Sequence, residues 1–151
     1  MIKLKEGDIL NATEDFICQQ VNCMGIMGAG LARQIKNKWP IVYNQYSEFC
    51  KNHDSKELLG TYFQVNVGTC SVLNIFGQYD YGKNKRYTDY NALASAFIEI
   101  KKEIIGTDIS LAIPHGFGCG LAGGDWDAVY AIIRCVFEEI PELIVIYKFE
   151  G

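Results

Sequence analysis

The sequence contains no long hydrophobic run and no concentrated block of positive charge. No segment approaches the roughly 18 uninterrupted apolar residues of a membrane-spanning helix, and the start, MIKLKEGDIL, lacks the apolar core of a signal peptide. The net charge is -4, whereas a protein that grips duplex DNA through many phosphates normally has a basic face. We therefore expect a cytoplasmic protein with no membrane partner, and duplex DNA is a poor candidate for the main partner.

Cysteine is present, but without the spacing of a metal site or a disulfide framework. No two cysteines form a C-x-x-C pair, and most lie inside apolar runs, as small core residues in a reducing compartment do. The 151 residues, 49% of them hydrophobic, suffice for one domain with a sizeable core and are too few for two. We expect a single domain over residues 1–151 and a monomer. The cysteines are Cys18, Cys23, Cys50, Cys70, Cys119 and Cys135.

A glycine-rich stretch follows the first strongly apolar segment. Residues 15–21 predict a buried strand, glycines stand at positions 25, 28 and 30, and residues 28–38 predict a helix. A glycine loop between a strand and a helix leaves backbone N–H groups free and directs the positive end of the helix dipole at one point, which suits a phosphate or diphosphate. The spacing G-x-x-G-x-G is neither the dinucleotide fingerprint nor a P-loop, and glycine turns that bind nothing are common.

A second glycine-rich stretch, Gly116–Gly124, has the same setting. It follows the short apolar run Ser110–Pro114 and precedes a predicted helix. In open α/β sheets the ligand crevice lies at the carboxyl ends of the strands, where such loops meet. The two stretches together favour a nucleotide-like ligand.

Three segments carry a resemblance to a known family: EGDIL near the start, VNCMGIMGAGLARQIKNKWP, and IPHGFGCGLAGGDW. In this order, over essentially the whole chain, they resemble a macro domain, the ADP-ribose-binding module. The resemblance is to the branch that contains phage and bacterial ADP-ribose-1''-phosphate-processing proteins and terminal ADP-ribose glycohydrolases. It implies an α/β fold with a six-stranded mixed sheet, no cofactor, and ADP-ribose or an ADP-ribosylated protein or nucleic-acid end as the partner.

The pattern along the chain agrees with that fold. Apolar and β-branched runs predict strands at residues 2–4, 15–21, 61–66, 71–76, 110–114 and 143–147, and the short connection at Gly68 predicts an antiparallel pair. Helical spacing predicts helices after Gly28, Pro40, Thr88 and Asp125, the last two residues acting as N-caps. The alternation predicts a three-layer α/β/α sandwich.

Residues 77–87, GQYDYGKNKRY, form the most polar and aromatic loop of the chain, here called the polar loop. Its three tyrosines and three cations fit two interpretations. The favoured one is a solvated connection, and the other is a flap over one end of the ligand.

The resemblance assigns ligand contacts residue by residue. It implies that Asp8 and Ile9 contact adenine, although a turn cap is the other interpretation of Asp8. Phe149 fits either stacking on adenine or a place in the core. Asn22 matches the residue that touches the distal ribose hydroxyls, and a strand-end cap is the other interpretation. The glycine loops then bind the diphosphate, because larger side chains would block the backbone. The predicted ligand-binding residues are Asp8, Ile9, Asn22, Gly25, Met27, Gly28, Ala29, Gly30, Leu31, Ala32, Gly116, Phe117, Gly118, Cys119, Gly120, Leu121 and Phe149.

Two positions depart from the terminal glycohydrolase relatives, in which a lysine attacks the distal ribose and an aspartate assists. The lysine position falls on Gln78, or on Gly77 with a one-residue shift, and the aspartate position is Ala122. None of these residues forms a Schiff base or accepts a proton near neutral pH. A covalent route through them is not expected, and nothing in the sequence favours Lys83 or Lys85 as a substitute.

Without that covalent route, the expected reaction is attack by water on the distal ribose or on a 1''-phosphate. His115 and Asp125 are the titratable residues that flank the second glycine stretch. His115 suits proton transfer, although a lone histidine beside a strand end is more often structural, and Asp125 is more often a helix cap. The catalytic candidates are Asn22, Gln78, His115 and Asp125. No metal is predicted, because zinc-dependent macro domains carry a Cys/His cluster where this chain has only Cys23.

The leading hypothesis is an enzyme that removes ADP-ribose from a modified target or hydrolyses an ADP-ribose ester or phosphate. The competing hypothesis is a module that binds ADP-ribose without turnover, which the absent lysine and aspartate favour. A third is a nucleotide-binding domain for some other ligand.

Overall fold

The computed structural model describes residues 1–149 and consists of a six-stranded sheet between two layers of helices. The strands are β1 (Lys3–Glu6), β2 (Phe16–Asn22), β3 (Tyr62–Asn66), β4 (Ser71–Gln78), β5 (Leu111–Pro114) and β6 (Ile144–Lys148). The helices are α1 (Gly30–Lys38), α2 (Pro40–Lys51), α3 (Ser55–Leu58), α4 (Tyr90–Ile104) and α5 (Trp126–Val136), with 3-10 turns at Ile9–Asn11 and Pro141–Leu143.

The strands are arranged in the order β1-β6-β5-β2-β4-β3. Every neighbouring pair is parallel except β3 and β4, which are antiparallel. The predicted three-layer sandwich with a mixed six-stranded sheet is therefore confirmed, as is the hairpin around Gly68.

Alternation along the strands divides the core between the two faces of the sheet. On one face, α4 and α5 pack against alternate strand residues such as Leu73, Ile113 and Ile146, all of them buried. On the other face, α1 and α2 cover residues such as Val21 and Phe76. Each helix layer is held by apolar burial, which fixes the sheet register because a one-residue slip would exchange the two faces.

Several predicted boundaries shift, and one predicted cap is wrong. Helix α1 begins at Gly30 rather than Gly28. The N-cap of α4 is Asp89, whose carboxylate accepts a hydrogen bond from the Ala92 N–H, and not Thr88. Thr88 is buried, and its hydroxyl donates to the Gly118 carbonyl oxygen at 2.6 Å. The predicted cap at the start of α5, Asp125, is confirmed by its bond with the Asp127 N–H.

The parallel strands end at one edge of the sheet, and this edge carries three loops. The first glycine loop, residues 23–29, joins β2 to α1, and the second, residues 115–125, joins β5 to α5. The polar loop begins at the end of β4 and leads to α4. In residues 1–149, no helix combines the length and the apolar character needed to cross a membrane.

Candidate functional site

Two adjoining cavities lie between these loops. The polar-loop cavity, about 320 Å³, extends from Asn22 to Lys83. The glycine-loop cavity, about 270 Å³, extends from Gln19 to Gly118. Together they form a crevice at the carboxyl ends of the strands, where ligands bind in open α/β sheets. The residues that line both cavities are Gln20, Ala29, Ala32, Gln78, Leu121 and Ala122.

Helix α1 presents an uncapped N-terminus to the crevice. Its N-cap residue is Ala29, which makes no side-chain capping bond, whereas α4 and α5 are capped by aspartates. Gly30, Leu31 and Ala32 line the glycine-loop cavity. First-turn N–H groups have no partner within a helix, and they carry the positive end of its dipole. The arrangement suits an anion.

The second glycine loop alternates between paired and unpaired N–H groups. Those of Phe117 and Cys119 donate to carbonyl oxygens of Pro114 and Gly116 at 3.1 and 2.8 Å. Within residues 1–149, the N–H groups of Gly116, Gly118 and Gly120 have no hydrogen-bond partner, and these three glycines line the glycine-loop cavity. Unpaired amides from two loops therefore lie along one crevice.

Gly118 is required at its position for two reasons. Its φ is +73°, in the left-handed region, and a Cβ there would lie 2.8 Å from Oε1 of Gln20. Only glycine adopts this conformation without strain and leaves this space.

Asn22, at the end of β2, organises the first glycine loop. Its Oδ1 accepts from the Met24 N–H at 2.9 Å, and its Nδ2 donates to the Ile26 carbonyl oxygen at 2.9 Å. The Tyr46 hydroxyl donates to the Asn22 carbonyl oxygen at 2.6 Å. The strand-end interpretation of Asn22 is confirmed by these bonds. Asn22 also lines the polar-loop cavity, so its predicted contact with a ligand remains a prediction with a suitable location.

A chain of side-chain amides connects the strands beneath the crevice. The Gln20 Nε2 donates to Gln78 Oε1 at 2.8 Å and to Thr88 Oγ1 at 2.9 Å. The Gln78 Nε2 in turn donates to the Asp80 carbonyl oxygen at 2.8 Å. Gln78 thus links β2, β4 and the polar loop, and it lines both cavities.

Gly77 and Gln78, the two candidates for the predicted lysine position, differ in their access to the crevice. Gly77 is buried, and a Cβ there would lie 2.4 Å from Leu93 Cδ2 and 2.5 Å from Gln20 Oε1. No side chain fits at Gly77 without displacing its neighbours. Gln78 is therefore the residue of the pair whose side chain lines the crevice.

The polar loop contributes Tyr81, Gly82 and Lys83 to the wall of its cavity. Tyr81 and Lys83 are exposed, as the favoured interpretation of a solvated connection predicts. Their place in the cavity wall agrees with the alternative, a flap over one end of the ligand.

The two titratable candidates are not at the same place. His115 lines the glycine-loop cavity, and its imidazole packs on Trp126 with ring centroids 4.6 Å apart. Asp125 lines neither cavity, and its carboxylate caps α5. Among residues 1–149, no aspartate or glutamate lines either cavity. Neither His115 nor Asp125 is among the residues that line the polar-loop cavity with Asn22.

The predicted adenine residues lie at the same sheet edge but outside both cavity walls. The Asp8 carboxylate accepts from the Leu10 N–H at 2.9 Å, so its interpretation as a turn cap is confirmed. Ile9 is buried in a small core cluster, and Phe149 is 70% exposed. The Gly7 N–H donates to the Lys148 carbonyl oxygen, which brings the two segments together. Their adenine contacts stay predictions.

Most of the predicted ligand residues come together in the crevice. Those that line it are Asn22, Gly28, Ala29, Gly30, Leu31, Ala32, Gly116, Phe117, Gly118, Gly120 and Leu121. Gly25, Met27 and Cys119 do not line it; Met27 is core, and Gly25 packs near Cys50. Sequence reasoning missed several lining residues: Gln19, Gln20, Val21, Ile26 and Pro114. Two adjacent glutamines in an apolar strand were the available signal. Tyr81, Gly82 and Lys83 also line the crevice and belong to the polar loop, for which a flap over the ligand is the alternative interpretation.

The thiols near the crevice are unsuited to nucleophilic chemistry. Burial raises the pKa of Cys23 to about 12, with a further contribution from Cys50. Burial and the nearby Asp125 carboxylate raise the pKa of Cys119 to about 11. Both thiols are protonated at neutral pH, and the thiolate is the reactive form. In residues 1–149, no three His, Cys, Asp or Glu residues are grouped as a metal site would need.

Comparison with known proteins identifies the fold. No protein-family model matches the chain. The DNA ADP-ribosyl glycohydrolase of Mycobacterium tuberculosis is 30% identical over 154 residues, covering 100% of this chain and 43% of that relative. The macrodomain of Mycobacterium tuberculosis DarG superposes with a TM-score of 0.82 at 24% identity, covering 100% of this chain and 99% of that one. The chain has the macrodomain fold.

The macrodomain is also similar to Thermosipho africanus DarTG, whose structure was solved in complex with ADP-ribose. The TM-score is 0.77 at 24% identity, covering 98% of this chain and 42% of that one. The fold implied by the resemblance of the three sequence segments is thus confirmed. The macrodomain spans less than half, 43%, of the length of the curated glycohydrolase that it matches.

Proposed function

We propose that this macrodomain binds ADP-ribose along the crevice formed by its two cavities. The observation that carries the proposal is the pairing of two groups of N–H donors, those of the uncapped α1 N-terminus and those of Gly116, Gly118 and Gly120. Backbone amides at a helix start bind phosphate groups without a cationic side chain. The diphosphate lies between them in this proposal.

The distal ribose then occupies the polar-loop cavity. Asn22 and Gln78 line this cavity and offer amide groups to ribose hydroxyls. Asn22 is held by Tyr46 and by its own loop, and Gln78 by Gln20. Side chains fixed in this way lose little conformational freedom on binding, which favours recognition of one orientation of the sugar.

The proposed activity is hydrolysis of an ADP-ribose linkage, either on a modified macromolecule or in ADP-ribose-1''-phosphate. The support is the similarity to a protein named DNA ADP-ribosyl glycohydrolase. In a glycosidic reaction, the water oxygen bonds to C1'' of the ribose while the bond from C1'' to the acceptor breaks. The acceptor leaves with the electron pair and is protonated, and the water loses a proton.

Positioning is the main contribution that this macrodomain makes to such a reaction. No aspartate or glutamate among the described residues lines the crevice, and Gln78 is no base near neutral pH. Orientation of substrate and water accounts for a large part of many enzymatic accelerations. The proposed rate is therefore lower than that of a relative with a lysine nucleophile and an aspartate.

A second candidate function is ADP-ribose binding without turnover. The observation that favours it is that Gln78 and Ala122 line the crevice. The resemblance places these two residues where the terminal glycohydrolases have the lysine and the aspartate. Binding through backbone amides requires neither of those residues.

Three substrates distinguish the two functions: an ADP-ribosylated protein, ADP-ribosylated DNA ends, and ADP-ribose-1''-phosphate. Hydrolysis is expected for at least one, measured by release of ADP-ribose or phosphate over a protein-free control. Turnover of none, together with micromolar ADP-ribose binding, would establish the binding module. Equal affinity for AMP and ADP-ribose would refute both, because the polar-loop cavity would contribute nothing.

A further inference from the structure

One cation belongs to the wall of the polar-loop cavity. Lys83 lines it beside Tyr81 and Gly82. Within residues 1–149, no other Lys, Arg, Asp or Glu lines either cavity, although the chain carries a net charge of -4. Lys83 is exposed. A lysine among the residues that line a cavity without carboxylates favours an anionic group on the ligand.

The position of Lys83 follows from contacts that fasten the polar loop to both glycine loops. The Cys23 N–H, in the first glycine loop, donates to the Tyr79 carbonyl oxygen at 3.0 Å. The Tyr87 N–H donates to the Ala122 carbonyl oxygen, in the second glycine loop, at 2.7 Å. The loop that carries Lys83 is therefore tied down on each side of this residue.

The other two cations of the polar loop face aromatic rings instead. Lys85 Nζ lies 5.1 Å from the centre of the Tyr87 ring, and the Arg86 guanidinium lies 4.4 Å from the centre of the Tyr90 ring. Neither cation lines a cavity. The nearby Asp80 carboxylate accepts from the Tyr81 N–H at 2.8 Å. Lys83 is thus the cation of this loop available to a ligand in the cavity.

We propose that Lys83 is a specificity-determining residue that selects ADP-ribose derivatives with an anionic group on C1'' of the distal ribose, a 1''-phosphate in particular. The inference rests on the proposed function, which places the distal ribose beside Asn22. The cavity that then holds C1'' and its substituent is also lined by Lys83. A lysine ammonium meets a phosphate as a point charge and does not require one fixed geometry.

The test measures affinity for ADP-ribose and for ADP-ribose-1''-phosphate by calorimetry in the wild-type protein, Lys83→Gln and Lys85→Gln. If the sample releases inorganic phosphate, kcat/KM for that release replaces the dissociation constant. Lys83→Gln is expected to weaken the 1''-phosphate ligand about tenfold, as loss of one charge-assisted hydrogen bond does. Its affinity for ADP-ribose is expected to change less than about twofold, since ADP-ribose lacks that anion. Lys85→Gln is expected to change neither.

Salt provides a second readout. The preference of the wild-type protein for the 1''-phosphate ligand is expected to shrink as ionic strength rises, because exposed charges are screened. Equal effects of Lys83→Gln on both ligands, or no effect on either, would overturn the inference and leave ADP-ribose binding intact. A wild-type protein that binds neither ligand would instead refute the proposed function.

Discussion

The hydroxyl of Tyr46, in the middle of α2, donates to the backbone carbonyl oxygen of Asn22 at 2.6 Å and lies 3.0 Å from Asn22 Oδ1. Tyr46 is fully buried, and burial raises its pKa, so the hydroxyl keeps its proton at neutral pH. The bond joins the α2 layer to the end of β2, where the first glycine loop begins. The core thereby fixes the residue that introduces the crevice.

Tyr46→Phe is therefore expected to destabilise the protein. It removes the hydroxyl and leaves a buried carbonyl oxygen with one partner fewer, which costs about 1 to 2 kcal/mol. Urea denaturation measures the change. The control is Tyr43→Phe on the same helix. Lys36 Nζ lies 3.9 Å from the centre of the Tyr43 ring, and phenylalanine keeps that ring. Equal stability of the two variants would show that the bond to Asn22 contributes nothing.

Asn22→Ala is expected to weaken ADP-ribose binding about tenfold, equivalent to about 1.4 kcal/mol. The variant loses the amide in the polar-loop cavity and the bonds to Met24 and Ile26 that shape the loop. AMP, which has no distal ribose, is expected to lose much less. The comparison is made by calorimetry, with Asn91→Ala on the exposed side of α4 as the control. An equal loss for AMP and ADP-ribose would contradict the placement of the distal ribose.

Ala29→Glu is expected to abolish measurable ADP-ribose binding while the protein stays folded. Ala29 lines both cavities, and its φ of -152° is open to any residue. A carboxylate there meets the diphosphate, and like charges a few ångströms apart near a protein surface repel by about 4 kcal/mol. Gly30 is a poorer test position, because its φ of +60° strains every other residue.

The matched control is Gln34→Glu, which adds the same charge to an exposed position of α1 outside both cavity walls. It is expected to bind ADP-ribose within about twofold of the wild-type protein, because an exposed charge farther away is screened. Thermal melting checks the fold of both variants. If Ala29→Glu binds ADP-ribose with the affinity of the wild-type protein, the first glycine loop is not part of the binding site.

Alkaline pH is expected to destabilise the protein through its buried thiols. Burial raises the pKa of the Cys18 thiol above its ordinary value of 9.0, and it raises the pKa of the buried Cys23 thiol to about 12. The unfolded chain releases these protons near pH 9 while the folded chain retains them. Below pH 9 the contribution of each thiol to the free energy of unfolding is complete. Above pH 9 this contribution declines by about 1.4 kcal/mol per pH unit for each thiol.

Cys18→Ala tests this account through the slope of stability against pH. The substitution costs stability at every pH, and above pH 9 the slope is expected to become shallower by about 1.4 kcal/mol per unit. Cys135→Ala, at an exposed position, is the control with an unchanged slope. Parallel curves for Cys18→Ala and the wild-type protein would refute the role of the buried thiol.

The order of strands and helices could be predicted because apolar periodicity is a local signal. Helix α3 has four residues, too few to show helical periodicity. Periodicity also does not fix the residue at which α1 begins. Thr88 stands beside the helix, but Asp89 lies one residue closer and takes the cap. Thr88 instead bonds Gly118, which is 30 positions away.

The glycine loops could be assigned to the site from their composition, since unpaired amides follow from glycine-rich turns before helices. The amide chain from Gln20 to Gln78 and the place of Lys83 could not, because both depend on residues far apart in sequence. Gln20 and Gln78 are 58 positions apart. Only the pairing of β2 with β4 brings them together.

Amide chemical shifts during titration with ADP-ribose test the central claim, that backbone N–H groups of two glycine loops hold the diphosphate. The largest changes are predicted at residues 28–32 and 116–121, with further changes at residues 81–83 where the polar loop lines its cavity. Changes confined to another surface, such as the cavity between α2 and β3 that Gln45 and Phe63 line, would contradict the account.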